Sequence, residues 1–291
     1  MKVIQRSPPT DAGWHTHRAK PDFEHGEQDH LFPFVLPSGG TVLFTIAASS
    51  ADNAQIAALD LSTGARKTLV RGGSHAEYVE TGHLVYGIAG TLRAVRFDAN
   101  HLEVRGDPVP VVDQLAMFAS GGAEYSVSRS GTLVYVPGGA PAGTGALRSL
   151  VWVDRSGREE PLKAPQRAYS TLRLSPDSSR LAVSIADQEL DVWMWDFVHK
   201  TLGRLTFDPA GDQTPIWTPD GRRIIFSSGR AGTSNLFWQA ADGTGTVERL
   251  TTSVNPEFTP SISPDGTSIV IPRGAFTPQT TVWVFIWICI W

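Results

Sequence analysis

Short runs of apolar residues, often alternating with polar ones and separated by Gly, Pro, Asp and Ser, fill the chain and predict strands joined by tight turns. One turn recurs in nearly the same form: Ser175-Pro176-Asp177-Ser178, Thr218-Pro219-Asp220-Gly221 and Ser263-Pro264-Asp265-Gly266, each followed two residues later by an apolar run. Weaker copies stand upstream at Leu36-Pro37-Ser38-Gly39, at Gly82 before Leu84-Val85-Tyr86, and at Gly131 before Leu133-Val134-Tyr135. In such corners Pro presets φ, Asp bonds its own backbone two residues on, and Gly accepts a positive φ. The six corner positions, 39, 82, 131, 178, 221 and 266, are separated by 43, 49, 47, 43 and 45 residues. That period is the length of a four-stranded propeller blade, and helices find little support.

Aligning the corners shows which positions face an interior. Four residues before each stand Val35, Tyr78, Val127, Leu174, Trp217 and Ile262, and three after it Val42, Val85, Val134, Leu181, Ile224 and Ile269. Six before stand Pro33, Ala76, Tyr125, Leu172, Pro215 and Pro260, while the column between, Phe34, Glu77, Ser126, Arg173, Ile216 and Ser261, is mixed. A period of two results, as a half-buried strand requires. Third strands follow at 53–59, 191–195, 235–238 and 281–284, and outer strands at 66–69 and 247–250. The prediction is an all-β fold, a six-bladed β-propeller of four-stranded antiparallel blades over 30–291, preceded by an N-terminal segment, 1–29. Isolated blades bury little, so stability must come from stacking neighbours around a ring. The sixth blade lacks room for an outer strand, and 2–5 is expected to supply it, with 8–29 as a long crossover loop.

Composition narrows the function classes. A chain of 291 residues can bury roughly three quarters of its unfolded surface, ample for one large all-β domain. A formal net charge of −4, with Lys and Arg scattered, argues against nucleic acid as a partner. Cys289 is the only cysteine, which rules out an intrachain disulfide and a thiolate zinc site. The first ten residues, MKVIQRSPPT, do not form an export signal, so the chain as written is expected in the cytoplasm, or in the periplasm if residues precede it. The longest apolar run, 282–291, is about half the length of a membrane-spanning helix and reads as a buried strand.

The Pro-Asp-Gly corners, with Arg204-Leu205-Thr206 leading to Thr214-Pro215-Ile216-Trp217-Thr218-Pro219-Asp220-Gly221, resemble the TolB-type propeller repeat over about 150–272. Upstream, the stretches 90–98, 107–111 and 150–157 are similar to propellers that follow bacterial serine/threonine kinase domains. The resemblance covers about 28–272 and implies a sensing or interaction propeller rather than a catalyst.

Candidate chemistry is sparse. Gly-x-Ser-x-Gly, Ser-x-x-Lys and His-Glu-x-x-His are all absent. Propeller first strands line the central axis. Nine residues before the corners stand His30, Gly73, Gly122, Tyr169, Asp212 and Glu257, and seven before stand Phe32, His75, Glu124, Thr171, Thr214 and Thr259. If these columns converge, His30, His75, Glu124, Tyr169, Asp212 and Glu257 form a polar channel cluster able to bind a ligand, hold a divalent cation, or place an acid and a base near a substrate. The plainer reading is that they solvate a water-filled channel. His15 and His17, with His25 nearby, offer a weaker metal site. Most tryptophans fall at packing positions, leaving Trp14 as the one free aromatic platform. The expected function is a non-catalytic module binding a protein, peptide or small ligand at the channel face, with no cofactor. The alternative is a propeller hydrolase or lyase using the channel cluster, with or without a divalent cation.

Overall fold

The computed structural model describes residues 21–50, 53–138, 146–154, 156–258 and 260–273, together with the backbone course of 4–6, 14–16, 18–19 and 281–286. Three short strands come first, β1 (Ile4–Arg6), β2 (Trp14–Thr16) and β3 (Arg18–Ala19), followed by a 3-10 turn at Phe23–His25. Then comes a succession of antiparallel meanders. The first is β4 (Asp29–Val35), β5 (Thr41–Ala47), β6 (Gln55–Asp60) and β7 (Arg66–Arg71); the second is β8 (Ser74–Val79), β9 (His83–Ile88), β10 (Thr91–Asp98) and β11 (Glu103–Val112). The third is β12 (Tyr125–Val127), β13 (Leu133–Tyr135), β14 (Val151–Val153) and β15 (Glu159–Pro161). The fourth is β16 (Tyr169–Leu174), β17 (Arg180–Ala186), β18 (Leu190–Asp196) and β19 (Thr201–Arg204). The fifth is β20 (Asp212–Trp217), β21 (Arg223–Ser228), β22 (Asn235–Ala240) and β23 (Glu248–Arg249). These five sheets are each made of consecutive strands. A further four-stranded sheet is composite, with β24 (Ser261–Ile262), β25 (Ser268–Arg273), β26 (Thr281–Ile286) and then β3 from the other end of the chain.

The fold is an all-β propeller of four-stranded antiparallel blades. Its cores lie between sheets. In β5, Val42, Phe44 and Ile46 pack with Val270 of β25, while Leu43 packs with Leu84 and Tyr86 of the second sheet. In β17, Leu181, Val183 and Ile185 face Val134 of the third sheet, and Ala182 faces Ile224 and Phe226 of the fifth. Successive side chains of a strand point to opposite faces, and here both faces are covered, so second strands read as continuous apolar runs.

The corners repeat as chemistry. Ser175, Thr218 and Ser263 each donate a hydroxyl to the Asp two residues on, at 2.6, 2.6 and 2.5 Å. Each hydroxyl also accepts from the backbone N–H five residues on. A Cβ on Gly221 or Gly266 would stand 3.7 Å from Pro176 or Pro219, so each of these two glycines rests on the preceding corner's proline.

The composite sheet differs from the expectation that 2–5 would be its outer strand. β3 takes that place, with Ala19 opposite Val282 and Arg18 opposite Trp283. Ile4 and Gln5 pair instead with Thr16 and His15, while Lys2 and Val3 lie outside the described residues. The segment used is the one nearest β4 in sequence, so the connection back to the first sheet is short and its closure entropy small.

Candidate functional site

The first strands carry a repeated irregularity. Phe32, His75, Thr171 and Thr214, all seven residues before a corner, have φ of 50, 50, 48 and 54°. The pairing register slips around each of them, between Leu31 and Phe34, Ser74 and Glu77, Ser170 and Leu172, and Gln213 and Ile216. A non-glycine residue in this region costs about 1–2 kcal/mol, and the neighbouring sheet helps to hold it there. The freed N–H of His75 is accepted by Thr45 Oγ1 at 2.9 Å, that of Thr171 by Glu124 Oε2 at 2.6 Å, and that of Thr214 by Ser184 Oγ at 3.1 Å.

Beyond these bulges, toward the corners, the first strands surround a channel of about 220 Å³. All six residues of the mixed column line it: Phe34, Glu77, Ser126, Arg173, Ile216 and Ser261. Pro37, Pro176, Pro219 and Pro264 border it on the corner side. Three members of the column fasten the next blade by accepting an N–H from the residue four before its corner. Ser126 Oγ accepts from Leu174 N at 2.9 Å, Ser261 Oγ from Val35 N at 3.1 Å, and the Glu77 carboxylate from Val127 N.

Arg173 is the one cation of the column. Its Nη1 donates to its neighbour's carbonyl, Leu172 O, at 2.7 Å and stands 3.8 Å from Glu77 Oε1. Glu77 Oε1 is also 4.0 Å from His75 Nε2, and Phe32 stacks on the His75 ring at 4.7 Å. His75 Nδ1 accepts from Ala123 N at 2.9 Å, which leaves Nε2 carrying the proton. Burial, and then the Arg173 charge, push the His75 imidazole down to about 3, so it is neutral at physiological pH. Burial raises the Glu77 carboxyl, with Arg173 opposing it.

Of the six expected cluster residues, only His75 lines this channel. His30 is fully buried, its Nε2 3.1 Å from Glu27 Oε2 and its ring edge-on to Phe44; Arg66 donates to the same Glu27 oxygen at 2.9 Å. Glu124 is buried beneath Thr171 N, and burial lifts its carboxyl to about 7. Tyr169 is buried with its hydroxyl on Pro165 O at 2.5 Å. Asp212 is buried against Arg230 Nη2, at 2.9 and 3.1 Å from its two oxygens. Glu257 is buried and accepts from the Thr251 hydroxyl at 2.5 Å. The bulge lies between positions nine and five before a corner and resets the strand's alternation there. Sequence reasoning passed over Glu77 and Arg173, whose signal was a single pair of opposite charges in an otherwise uncharged column.

The other candidates are placed as follows. His25 is exposed, its Nδ1 2.8 Å from Asp22 Oδ2, and the side chains of His15, His17 and Trp14 lie outside the described set. Among the described residues no group of three His, Cys, Asp or Glu side chains is placed to hold a metal ion. Trp193, Trp217 and Trp238 each carry an arginine over the ring, Arg167, Arg180 and Arg223, at 4.5, 4.8 and 3.8 Å, which occupies one face of each indole. No helix among the described residues is long and apolar enough to cross a membrane.

Residues 152–282 match the TolB beta propeller domain family. Over that stretch, a little under half of the chain, the sequence is TolB-like. An uncharacterized protein of Agrobacterium fabrum is 27% identical over 170 residues, 58% of this chain and 57% of that protein. The chain thus spans little more than half of that relative. Among solved structures, TolB from Acinetobacter baumannii superposes with a TM-score of 0.61 at 15% identity, covering 86% of this chain and 64% of that one. An oligogalacturonate lyase in complex with manganese superposes with a TM-score of 0.59, also at 15% identity, covering 86% and 72%. At such identities these two likenesses speak for the fold alone.

Proposed function

We propose that this TolB-like propeller is a binding module whose ligand, a protein segment, peptide or small molecule, is received at the corner-side mouth of the central channel. We count the composite sheet as a sixth blade of the ring. The observation that carries the reading is the channel wall itself: each sheet contributes one residue of the mixed column, and the wall joins the Phe34 and Ile216 side chains to the polar Glu77, Arg173 and His75. A concave site with a few convergent polar groups among apolar ones is what a ligand pocket requires.

The test is photo-crosslinking with benzoylphenylalanine at Tyr78, on the channel wall, compared with the same group at exposed Val198. Ligand adducts at Tyr78 and not at Val198 support the reading. Adducts that do not distinguish the two positions, or none at Tyr78, overturn it.

A second reading, a lyase or hydrolase, draws on the neutral His75 with its Nε2 4.0 Å from Glu77 and on the manganese-bound lyase that shares the fold. Turnover of ester, lactone or uronate substrates that disappears in both His75→Ala and Glu77→Gln would establish it in place of the first.

A further inference from the structure

Arg173 does not do the work of its column. Glu77, Ser126 and Ser261 are acceptors that fasten the neighbouring blade, and Phe34 and Ile216 are fillers. At the same position Arg173 offers only donors, while Trp217 is held instead through its indole Nε1, which donates to Arg173 O at 2.9 Å.

A guanidinium has five N–H donors in a planar fork. Among the described residues Arg173 gives one hydrogen bond, to Leu172 O. Its 3.8 Å approach to Glu77 is too long to be a second, and that carboxylate is already engaged by Val127 N. The side chain is only 18% exposed, and the space next to it is the channel. A largely desolvated cation with unspent donors facing a cavity is a site for an anion, and the fork geometry matches a carboxylate in bidentate fashion. The channel's 220 Å³ is well above the roughly 10–15 Å³ that a single water needs, which leaves room for a carboxylate and the few atoms that carry it.

We propose that Arg173 makes the channel a carboxylate receptor, engaging the acidic side chain, chain terminus or sugar acid group that a ligand inserts from the corner side. The inference rests on the channel being the binding site and adds the chemistry it selects. Glu77 is the internal competitor: in its ionised form it neutralises Arg173 when the channel is empty and repels an incoming carboxylate.

The experiment is calorimetric titration of the full chain at neutral pH with four probes. These are acetyl-Gly-Gly-Asp-Gly-amide, acetyl-Gly-Gly-Gly with a free carboxyl terminus, D-galacturonate, and acetyl-Gly-Gly-Asn-Gly-amide as the uncharged control. At least one carboxylate probe is expected to bind about tenfold or more tightly than the control, and the probe that does so identifies the source. Arg173→Met is expected to lose that advantage, and Glu77→Gln to bind the same probe several-fold more tightly than the parent. If Arg173→Met does not fold, Glu77→Gln decides: tighter binding supports the inference, and equal or weaker binding overturns it. It is also overturned if no carboxylate probe binds at about 1 mM, or if Arg173→Met binds as the parent does. Should the probes fail while Tyr78 still crosslinks a ligand, the channel binds something other than a carboxylate, and only the present inference falls.

Discussion

The hydroxyl of Ser261 accepts a 3.1 Å hydrogen bond from the backbone N–H of Val35, 226 residues earlier in the chain. This contact, with Val270 packed among Val42, Phe44 and Ile46, joins the composite sheet to the first. Val35 is 4% exposed, so without Ser261 its N–H is left largely buried beside the channel. A buried donor left without a partner costs about 1–3 kcal/mol. Ser261→Ala should therefore lower the urea midpoint about as much as Ser126→Ala, which removes the equivalent bond to Leu174 N inside the ring. A seam that is open in solution would show itself if Ser126→Ala destabilised the protein and Ser261→Ala did not.

The corners supply a stabilising change. Ser178 has φ of 59° where the equivalent glycines, Gly221 and Gly266, have 69° and 71°. A side chain in the left-handed region costs about 1–2 kcal/mol, of which glycine's greater freedom in the unfolded chain returns part. Ser178→Gly should raise stability by roughly 0.5–1 kcal/mol in urea denaturation, with the m-value unchanged. A loss of stability would mean that the serine side chain contributes more than its backbone strain costs.

Much of the architecture was readable because burial on two faces leaves a pattern. Val42-Leu43-Phe44 and Leu181-Ala182-Val183 are apolar throughout because each sheet is packed on both sides, and the Pro-Asp-Gly corners mark the period. The site was less readable for a definite reason. Phe32, His75, Thr171 and Thr214 adopt positive φ without being glycine, so nothing in their identity signals the bulge that separates His30, Tyr169 and Asp212 from the residues lining the channel. Pairing of β3 with β26 was likewise hidden, because Arg18-Ala19 has no strand pattern of its own. The charges that do face the channel, Glu77 and Arg173, lay in the column whose mixed character hid them.

Glu124 ties stability to pH. Burial raises its carboxyl from 4.5 to about 7, against the opposing Thr171 N–H and the charges of Arg173 and Arg148. The folded protein thus keeps this proton to higher pH than the unfolded chain, so the contribution is complete below 4.5 and is lost as pH rises through about 7. Asp29, raised by burial from 3.8 to about 7, acts with the same sign. Glu27 acts oppositely: burial would raise it, but hydrogen bonds from His30, Asp22 N and Arg66 hold it at about 2, so its contribution is lost only as the solution becomes strongly acid. Glu124→Gln keeps an acceptor for Thr171 N without the ionisation. Its urea midpoint should fall less steeply than the parent's between about pH 5 and 8, and parallel profiles would show that Glu124 does not titrate in that range.

Gly73 stands at the entry to β8, nine residues before its corner, and its lack of a side chain is a packing requirement. A Cβ there would meet Tyr86 Cδ2 at 2.7 Å and Cε2 at 2.9 Å, with Ile56 Cδ1 at 3.2 Å. Tyr86 and Ile56 are buried in the core between the first two sheets, so neither ring nor methyl has free space to move into. Overpacking of this kind costs about 1–3 kcal/mol. Gly203 in the outer strand β19 provides the comparison, since nothing lies within 4 Å of its Cβ position. Gly73→Ala should lower the thermal midpoint clearly, while Gly203→Ala should leave it unchanged or raise it slightly by restricting the unfolded chain. Equal midpoints for the two variants would mean that Tyr86 can rotate out of its place between the sheets, and that the core between the first and second sheets is looser than its buried side chains imply.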